Sequence, residues 1–153
     1  DGQWRVGAAA AHHLGGEPGP AYGDGSQSRD FIFVDDHCAG IETVLERGAS
    51  GEIYNVGGGN EIENITTTKL LLEMTGRDES HVRYVTDRPG HDRRYAIDAS
   101  KIESELGWKP AETFETGIRK TVQWYLKNHG WVANVQSGAY REWVEKNYAE
   151  RAA

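Results

Sequence analysis

Short β-prone runs alternate along this chain with segments of helical periodicity, and glycine closes most of them; this order restricts the fold more than any other feature. Phe31-Ile32-Phe33-Val34 reads as a strand, with Asp35 or Asp36 placed to cap the helix that follows. That helix carries Cys38, Ile41, Val44 and Leu45 on one apolar stripe, which predicts a packed Cys38, and it stops at Gly48. Glu52-Ile53-Tyr54-Asn55-Val56 reads as a second strand, ending at Gly57-Gly58-Gly59. Thr66 or Thr67 opens a helix through Leu70, Leu71, Leu72 and Met74, closed by Gly76. Residues 82–85 and 94–97 read as further short strands around a central loop. Asp98 or Ser100 caps a short helix ending at Leu106-Gly107. Residues 114–128 place Ile118, Val122, Tyr125 and Leu126 at helical spacing, and 139–148 do the same for Tyr140, Trp143, Val144 and Tyr148. Strands alternating with helices predict an α/β protein.

Composition narrows the class. The 153 residues fit one domain, and 17 Lys+Arg against 24 Asp+Glu leave a net charge of −7, which argues against a nucleic-acid face. No apolar run reaches the ~18 residues a membrane span needs. The single cysteine, Cys38, cannot close an internal disulfide or build a thiolate zinc site, so a reducing, cytoplasmic setting is expected. His12 and His13 are adjacent, with no third ligand at helical spacing, and read as solvated side chains and not as a metal site. Residues 1–19, an alanine-histidine run broken by Gly15, Gly16, Pro18 and Gly19, differ from all that follows and are expected to be poorly ordered or a short helix. The chain opens at Asp1 with neither an initiator methionine nor a signal-peptide pattern, and reads as a piece of something longer.

The densest chemical signal is Asp87-Arg88-Pro89-Gly90-His91-Asp92-Arg93-Arg94-Tyr95. A Pro-Gly turn puts Arg88 and His91 on one loop, and an arginine fork pairs bidentately with phosphate oxygens. Two readings stay open from the residues: a compact anion site, or a surface turn whose arginines pair with Asp87, Asp92 and nearby glutamates. Arg29, between the turn Tyr22-Gly23-Asp24-Gly25-Ser26 and an apolar run, is the second anion-binding candidate, against a structural pairing with Asp30 or Asp24. Gly57-Gly58-Gly59-Asn60 follows a strand, but Ile62 stands where a dinucleotide fingerprint needs its third glycine. It reads as a turn, with Asn60 or Asn64 available for hydrogen bonding. No Tyr-x-x-x-Lys pair, G-x-S-x-G elbow, P-loop or H-E-x-x-H motif occurs. No catalytic, cofactor-binding or metal-binding residue is therefore assigned.

Tyr22-Gly23-Asp24-Gly25-Ser26-Gln27-Ser28-Arg29-Asp30-Phe31 with Val34-Asp35-Asp36-His37, and Gly51 to Gly58, resemble the extended short-chain dehydrogenase/reductases. The run 87–98, reading DRPGHDRRYAID, with Leu106-Gly107-Trp108-Lys109-Pro110, Ser137-Gly138-Ala139-Tyr140 and Asn147-Tyr148, sharpens this to the dTDP-glucose 4,6-dehydratase family. The resemblance implies residues 20–153 as the C-terminal, nucleotide-sugar-binding portion of such a protein, lacking most of the Rossmann domain. Residues 47–60 would then include a strand of the Rossmann sheet, and residues 1–19 match nothing in the family. It further implies an NAD-dependent lyase in which hydride leaves C4 of the glucose, water is lost across C5 and C6, and hydride returns to C6. The groups that perform those steps lie outside this chain, so the chain alone is expected to be inactive and to bind no NAD. The family's homodimer contact lies largely on helices that are also outside it, which puts a dimer in doubt.

Carried over by position, the resemblance places Pro20, Ala21 and Tyr22 beside the nucleotide. Arg29 is set at its phosphate or sugar, and Asn64 hydrogen-bonds nearby. Arg88 grips the pyrophosphate with His91 on the same loop, and Tyr148 reaches back from the tail. The expected ligand is dTDP-glucose or dTDP, with no nucleic-acid or membrane partner. A fragment of another nucleotide-sugar epimerase or dehydratase, and a non-catalytic nucleotide-binding module, stand as alternatives.

Overall fold

The computed structural model describes residues 18–87 and 89–138 of the chain. The tail helix expected over 139–148 lies outside them. The described residues form two small sheets. β1 (Gly19–Tyr22) runs parallel to β4 (Val82–Val85), with Gly19 opposite Val82 and Tyr22 opposite Val85. β2 (Ser28–Asp30) runs antiparallel to β3 (Glu61–Glu63), with Arg29 opposite Ile62. Helices α1 (Val34–Arg47), α2 (Asn64–Thr75), α3 (Ser100–Leu106), α4 (Phe114–Lys127) and α5 (His129–Gln136) pack around them, and a 3-10 turn (Glu79–His81) leads into β4.

The apolar residues fall into two clusters. Leu71, Phe114, Ile118 and Val122 form one, joining α2 to α4, with Phe31, Ile62, Leu70 and Met74 packed against them. Ile102, Leu106 and Trp108 form the other, covered by Ile32, Val44, Tyr54, Val56 and Ala99. α1 approaches this second cluster at Gly40, where a Cβ would meet Val56 at 2.7 Å and Trp108 at 3.1 Å; only glycine allows the helix so close. Asp36, 7% exposed, takes no part in capping α1. Its carboxylate instead accepts N–H bonds from Ala111 and Glu112, each 3.0 Å, and so ties α1 to the start of α4. There Thr113 and Thr116 cap each other reciprocally.

Several expectations are corrected by this architecture. The strand expected at 31–34 lies instead at Ser28–Asp30: the Phe31 ring packs 5.4 Å from that of Phe114, and Val34 already begins α1. The segment 52–56 is extended but belongs to no sheet: Tyr54 and Val56 pack on the second cluster, Tyr54 donates its hydroxyl to Glu105 at 2.9 Å, and no strand lies beside it among the described residues. Of 94–97, only Arg94 bridges to a neighbour, Ser28. α2 starts at Asn64, two residues before the nearer expected opening, and the hydroxyls of Thr67 and Thr68 are buried against Glu63 and Asn64 carbonyls. Cys38 is exposed and not packed. α1 buries the face of Asp36, Gly40 and Thr43; Val34 (62% exposed), Ile41 (45%) and Leu45 (82%) share the opposite face with Cys38. The closing glycines Gly48, Gly76 and Gly107 stand where expected, and so do Val82–Val85 and the bodies of α3 and α4. α5 has no counterpart in the sequence reading.

Candidate functional site

The two arginine-bearing segments meet because β2 is clamped on both sides. Arg29 pairs with Ile62 of β3, while Ser28 donates its N–H to Arg93 O (2.9 Å) and accepts from Tyr95 N (3.1 Å). This stitches the loop 89–95 to β2 and delivers His91 to Arg29. Arg29 donates from Nη1 to Ser28 O at 2.6 Å and from Nη2 to Asp92 O and His91 Nε2, both 2.9 Å. Its guanidinium carbon sits 4.4 Å from the centre of the Tyr95 ring, and the Tyr95 hydroxyl donates to the Asp92 carboxylate. Among the described residues no partner takes the Arg29 Nε–H or the second Nη1–H, so two donors of the fork remain for an anion.

A guanidinium only donates, so the His91 Nε2 facing it must accept. The proton of His91 therefore resides on Nδ1, which donates to Asp87 Oδ1 at 2.6 Å. The other Asp87 oxygen accepts from Gln27 Nε2 at 2.7 Å. Tyr22 closes the group edge-on, its ring 5.9 Å from that of His91, and the His91 side chain is 5% exposed. The neutral imidazole adds no charge beside Arg29; it fixes the direction of a cation.

Of the residues singled out by resemblance, the structure brings Tyr22, Arg29 and His91 together. Pro20 and Ala21 lie on the same strand as Tyr22. Asn64 begins α2 beside β2, its N–H donated to Gln27 O at 2.9 Å and its side-chain oxygen buried with no partner among the described residues. Arg88 and Tyr148 lie outside the described residues. The proposed pairing of Arg29 with Asp30 or Asp24 is corrected. Asp30 accepts from Gly58 N (3.0 Å) and Asn60 N (2.8 Å), and Asp24 from Ser26 N (2.9 Å), whose side chain and N–H hold the Asp24 carboxyl below its ordinary range. Gln27, Asp87 and Tyr95 are the members that sequence reasoning missed. The spacing Asp87-x-x-x-His91 was the available signal for one of them, whereas Gln27 is joined to Asp87 only by the fold.

Arg94 points elsewhere. It grips Glu61 with both Nε (2.6 Å) and Nη2 (2.8 Å), and the Ser28 hydroxyl donates to the same carboxylate at 2.8 Å. These bonds hold the Glu61 carboxyl below its ordinary range and raise Arg94 above its own. Arg94 thus makes the kind of pairing that the surface-turn reading describes, with a glutamate of β3. The glycine turn 57–59 offers no phosphate cradle. Asp30 already occupies the amides of Gly58 and Asn60, and Gly58 lies so close to Phe31 that a Cβ would come within 2.0 Å of its carbonyl oxygen. The residues present do not fit the pyrophosphate of a dinucleotide there.

Comparison with known proteins shows the family. The family model described as GDP-mannose 4,6 dehydratase matches residues 6–121. A dTDP-glucose 4,6-dehydratase of Escherichia coli is 55% identical over 145 residues, covering 90% of this chain and 40% of that protein. The structure of a dTDP-glucose 4,6-dehydratase from Streptomyces venezuelae with NAD and dTDP bound is similar at a TM-score of 0.78 and 48% identity, over 81% of this chain and 38% of that one. UDP-glucose 4-epimerase from Thermotoga maritima, with UDP-glucose, follows at a TM-score of 0.74 and 33% identity, over 80% of this chain and 39% of its own. The chain thus spans about 40% of the length of the relatives it matches. It belongs to the GDP-mannose 4,6-dehydratase family, as an α/β part homologous to the dTDP-glucose 4,6-dehydratases.

Proposed function

We propose that this chain is the C-terminal, substrate-binding part of a cytoplasmic dTDP-glucose 4,6-dehydratase, contacting the nucleotide diphosphate and performing no chemistry alone. The observation that carries the reading is the Arg29 fork. It is oriented by Ser28, Asp92 and His91, flanked by Tyr95, and keeps two N–H donors for an anion. Tyr22 stands against the His91 ring and offers an aromatic face on which a base or sugar packs. Arg88 and Tyr148 are assigned to the same ligand, Arg88 at the pyrophosphate, and Asn64 offers its unpartnered oxygen nearby. Pro20 and Ala21 border the nucleotide on the same strand. NAD belongs to the whole enzyme; Asp30 already takes the Gly58 and Asn60 amides of the 57–60 turn, and no hydride step runs through the residues present. Without a hydride carrier and the groups that act on C4, C5 and C6, the reacting atoms are not held together.

A second reading, binding of a uridine nucleotide sugar, is favoured by the likeness to the Thermotoga maritima epimerase. Titration of the isotopically labelled chain separates the two. dTDP is expected to shift the amides of Tyr22, Arg29 and His91 more strongly than UDP, and Arg29→Met to weaken binding by roughly tenfold to a hundredfold, the size of one or two charged hydrogen bonds. No 4-keto-6-deoxy product is expected from dTDP-glucose and NAD. Product above a protein-free blank would refute the inactivity, preference for UDP would favour the second reading, and a spectrum unmoved by either nucleotide would refute both.

A further inference from the structure

We infer that Arg83 is a further ligand-binding residue of this site, a donor to a carbonyl oxygen of a pyrimidine base packed on Tyr22. Its place follows first from strand register. β1 and β4 run parallel with Pro20 opposite Arg83 and Tyr22 opposite Val85, and side chains at paired positions share a face of the sheet. Arg83 therefore stands on the face of Pro20 and Tyr22, while Ala21 and Tyr84 take the other. Position along the strands is the second ground. The backbone leaves β4 after Val85 and runs on to Asp87 and His91, and the Tyr22 ring meets the His91 ring at 5.9 Å. Arg83 lies two residues back from Val85, about 6.6 Å along the strand. The order along this face is Arg83, then the Tyr22 ring, then His91 with Arg29, so a cation stands at each end of an aromatic surface.

The neighbouring arginines are already engaged. Arg94 grips Glu61, and Arg93 lies close enough to Asp24 to help lower its carboxyl. Arg83 is exposed, and among the described residues its side chain has no hydrogen bond, ion pair or ring contact, although the chain carries 24 Asp+Glu against 17 Lys+Arg. Its guanidinium keeps all five N–H donors. A nucleoside diphosphate laid along the face meets these groups in matching order. With the diphosphate on Arg29 and the nucleoside on Tyr22, the atoms that reach Arg83 belong to the edge of the base. A guanidinium only donates, and the acceptors on that edge of a pyrimidine are carbonyl oxygens, which thymine and uracil share. Arg83 strengthens the binding of pyrimidine nucleotides without choosing between the two.

This role rests on the nucleotide reading proposed above. The test uses the full 153-residue chain with nitrogen-15 labelling. dTDP and inorganic pyrophosphate are titrated into the wild type, Arg83→Met and Arg119→Met; the last removes the same charge from an exposed position of α4. In the wild type the Arg83 Nε–H signal should shift with dTDP and stay still with pyrophosphate. Arg83→Met should keep the amide spectrum outside β1 and β4 and bind dTDP about fivefold to tenfold more weakly, the size of one hydrogen bond, with its pyrophosphate affinity unchanged. Arg119→Met should bind both ligands as the wild type does. If folded Arg83→Met binds dTDP like the wild type, or loses dTDP and pyrophosphate by the same factor, the inference is overturned while the nucleotide reading stands. A wild type that does not bind dTDP would remove that reading and this inference with it.

Discussion

Asp30 offers the sharpest test of how the chain holds its site. Its two oxygens accept from Gly58 N at 3.0 Å and Asn60 N at 2.8 Å, so one side chain neutralises two donors of the glycine turn. Beside them Phe31 N donates to Asn60 O at 3.1 Å, which makes the turn part of the frame around β2. Hydrogen bonds to a charged group contribute about 1.5–3 kcal/mol each. Asp30→Asn keeps one acceptor and replaces the other by an NH2 that faces a backbone N–H, so one bond is lost and a donor is set against a donor. The expected cost is about 2–4 kcal/mol, a large share of the ~5–15 kcal/mol that holds a domain of this size. At about 2–4 °C per kcal/mol, the melting temperature should fall by roughly 4–16 °C.

The assay is a thermal melt read beside amide hydrogen exchange. Gly58 and Asn60 should lose protection before the amides of α4, because their acceptor is gone while the helix keeps its own. Asp35→Asn is the control. Asp35 is exposed in the first turn of α1, and losing its charge there should cost under about 1 kcal/mol. Equal melting temperatures for Asp30→Asn and the wild type, with both amides still protected, would refute the claim that Asp30 occupies the glycine turn. The turn would then be free for a phosphate after all.

Three further outcomes follow from the same contacts. Asp36→Asn, which breaks one of two 3.0 Å bonds to the start of α4 from a side chain 7% exposed, should cost about 2–4 kcal/mol and move the urea midpoint without changing its slope. Arg94 and Ser28 lower the Glu61 carboxyl in the folded chain, so its contribution is present above the unfolded value near 4.5 and is lost as pH falls through the lower folded value; the difference in melting temperature between wild type and Glu61→Gln should shrink between neutral pH and about pH 3. Replacing Ile41 and Leu45 together by lysine should leave the melting temperature within about 2 °C, because both side chains are exposed; a larger loss of stability would show that this face is packed.

What the sequence could tell depended on how local each determinant is. Helix ends were readable because Gly48, Gly76 and Gly107 act within one turn, and α4 because its buried Ile118 and Val122 repeat at helical spacing. The strands were displaced because a strand is defined by its neighbour. Phe31-Ile32-Phe33 has β-prone composition, yet the ladder falls on Ser28–Asp30, where Glu61–Glu63 lies opposite, and the aromatic rings serve the core instead. Arg29 and the 87–95 loop could be proposed from charge and turn chemistry, but Gln27 could not, since its bond to Asp87 spans 60 positions.

The misplaced Cys38 has a different origin. Apolar periodicity reports that a helix face is to be buried, and α1 carries two such surfaces: one closes on Trp108 through Gly40, while the other, with Val34, Ile41 and Leu45, stays open among the described residues. The segment 52–56 repeats the pattern, with Tyr54 and Val56 turned inward and Ile53 82% exposed. An apolar stripe records a preference for burial, and only the packed structure decides which of two stripes is satisfied. In a chain that spans about 40% of the length of its relatives, the open stripe and the unpaired segment are therefore where periodicity and structure disagree.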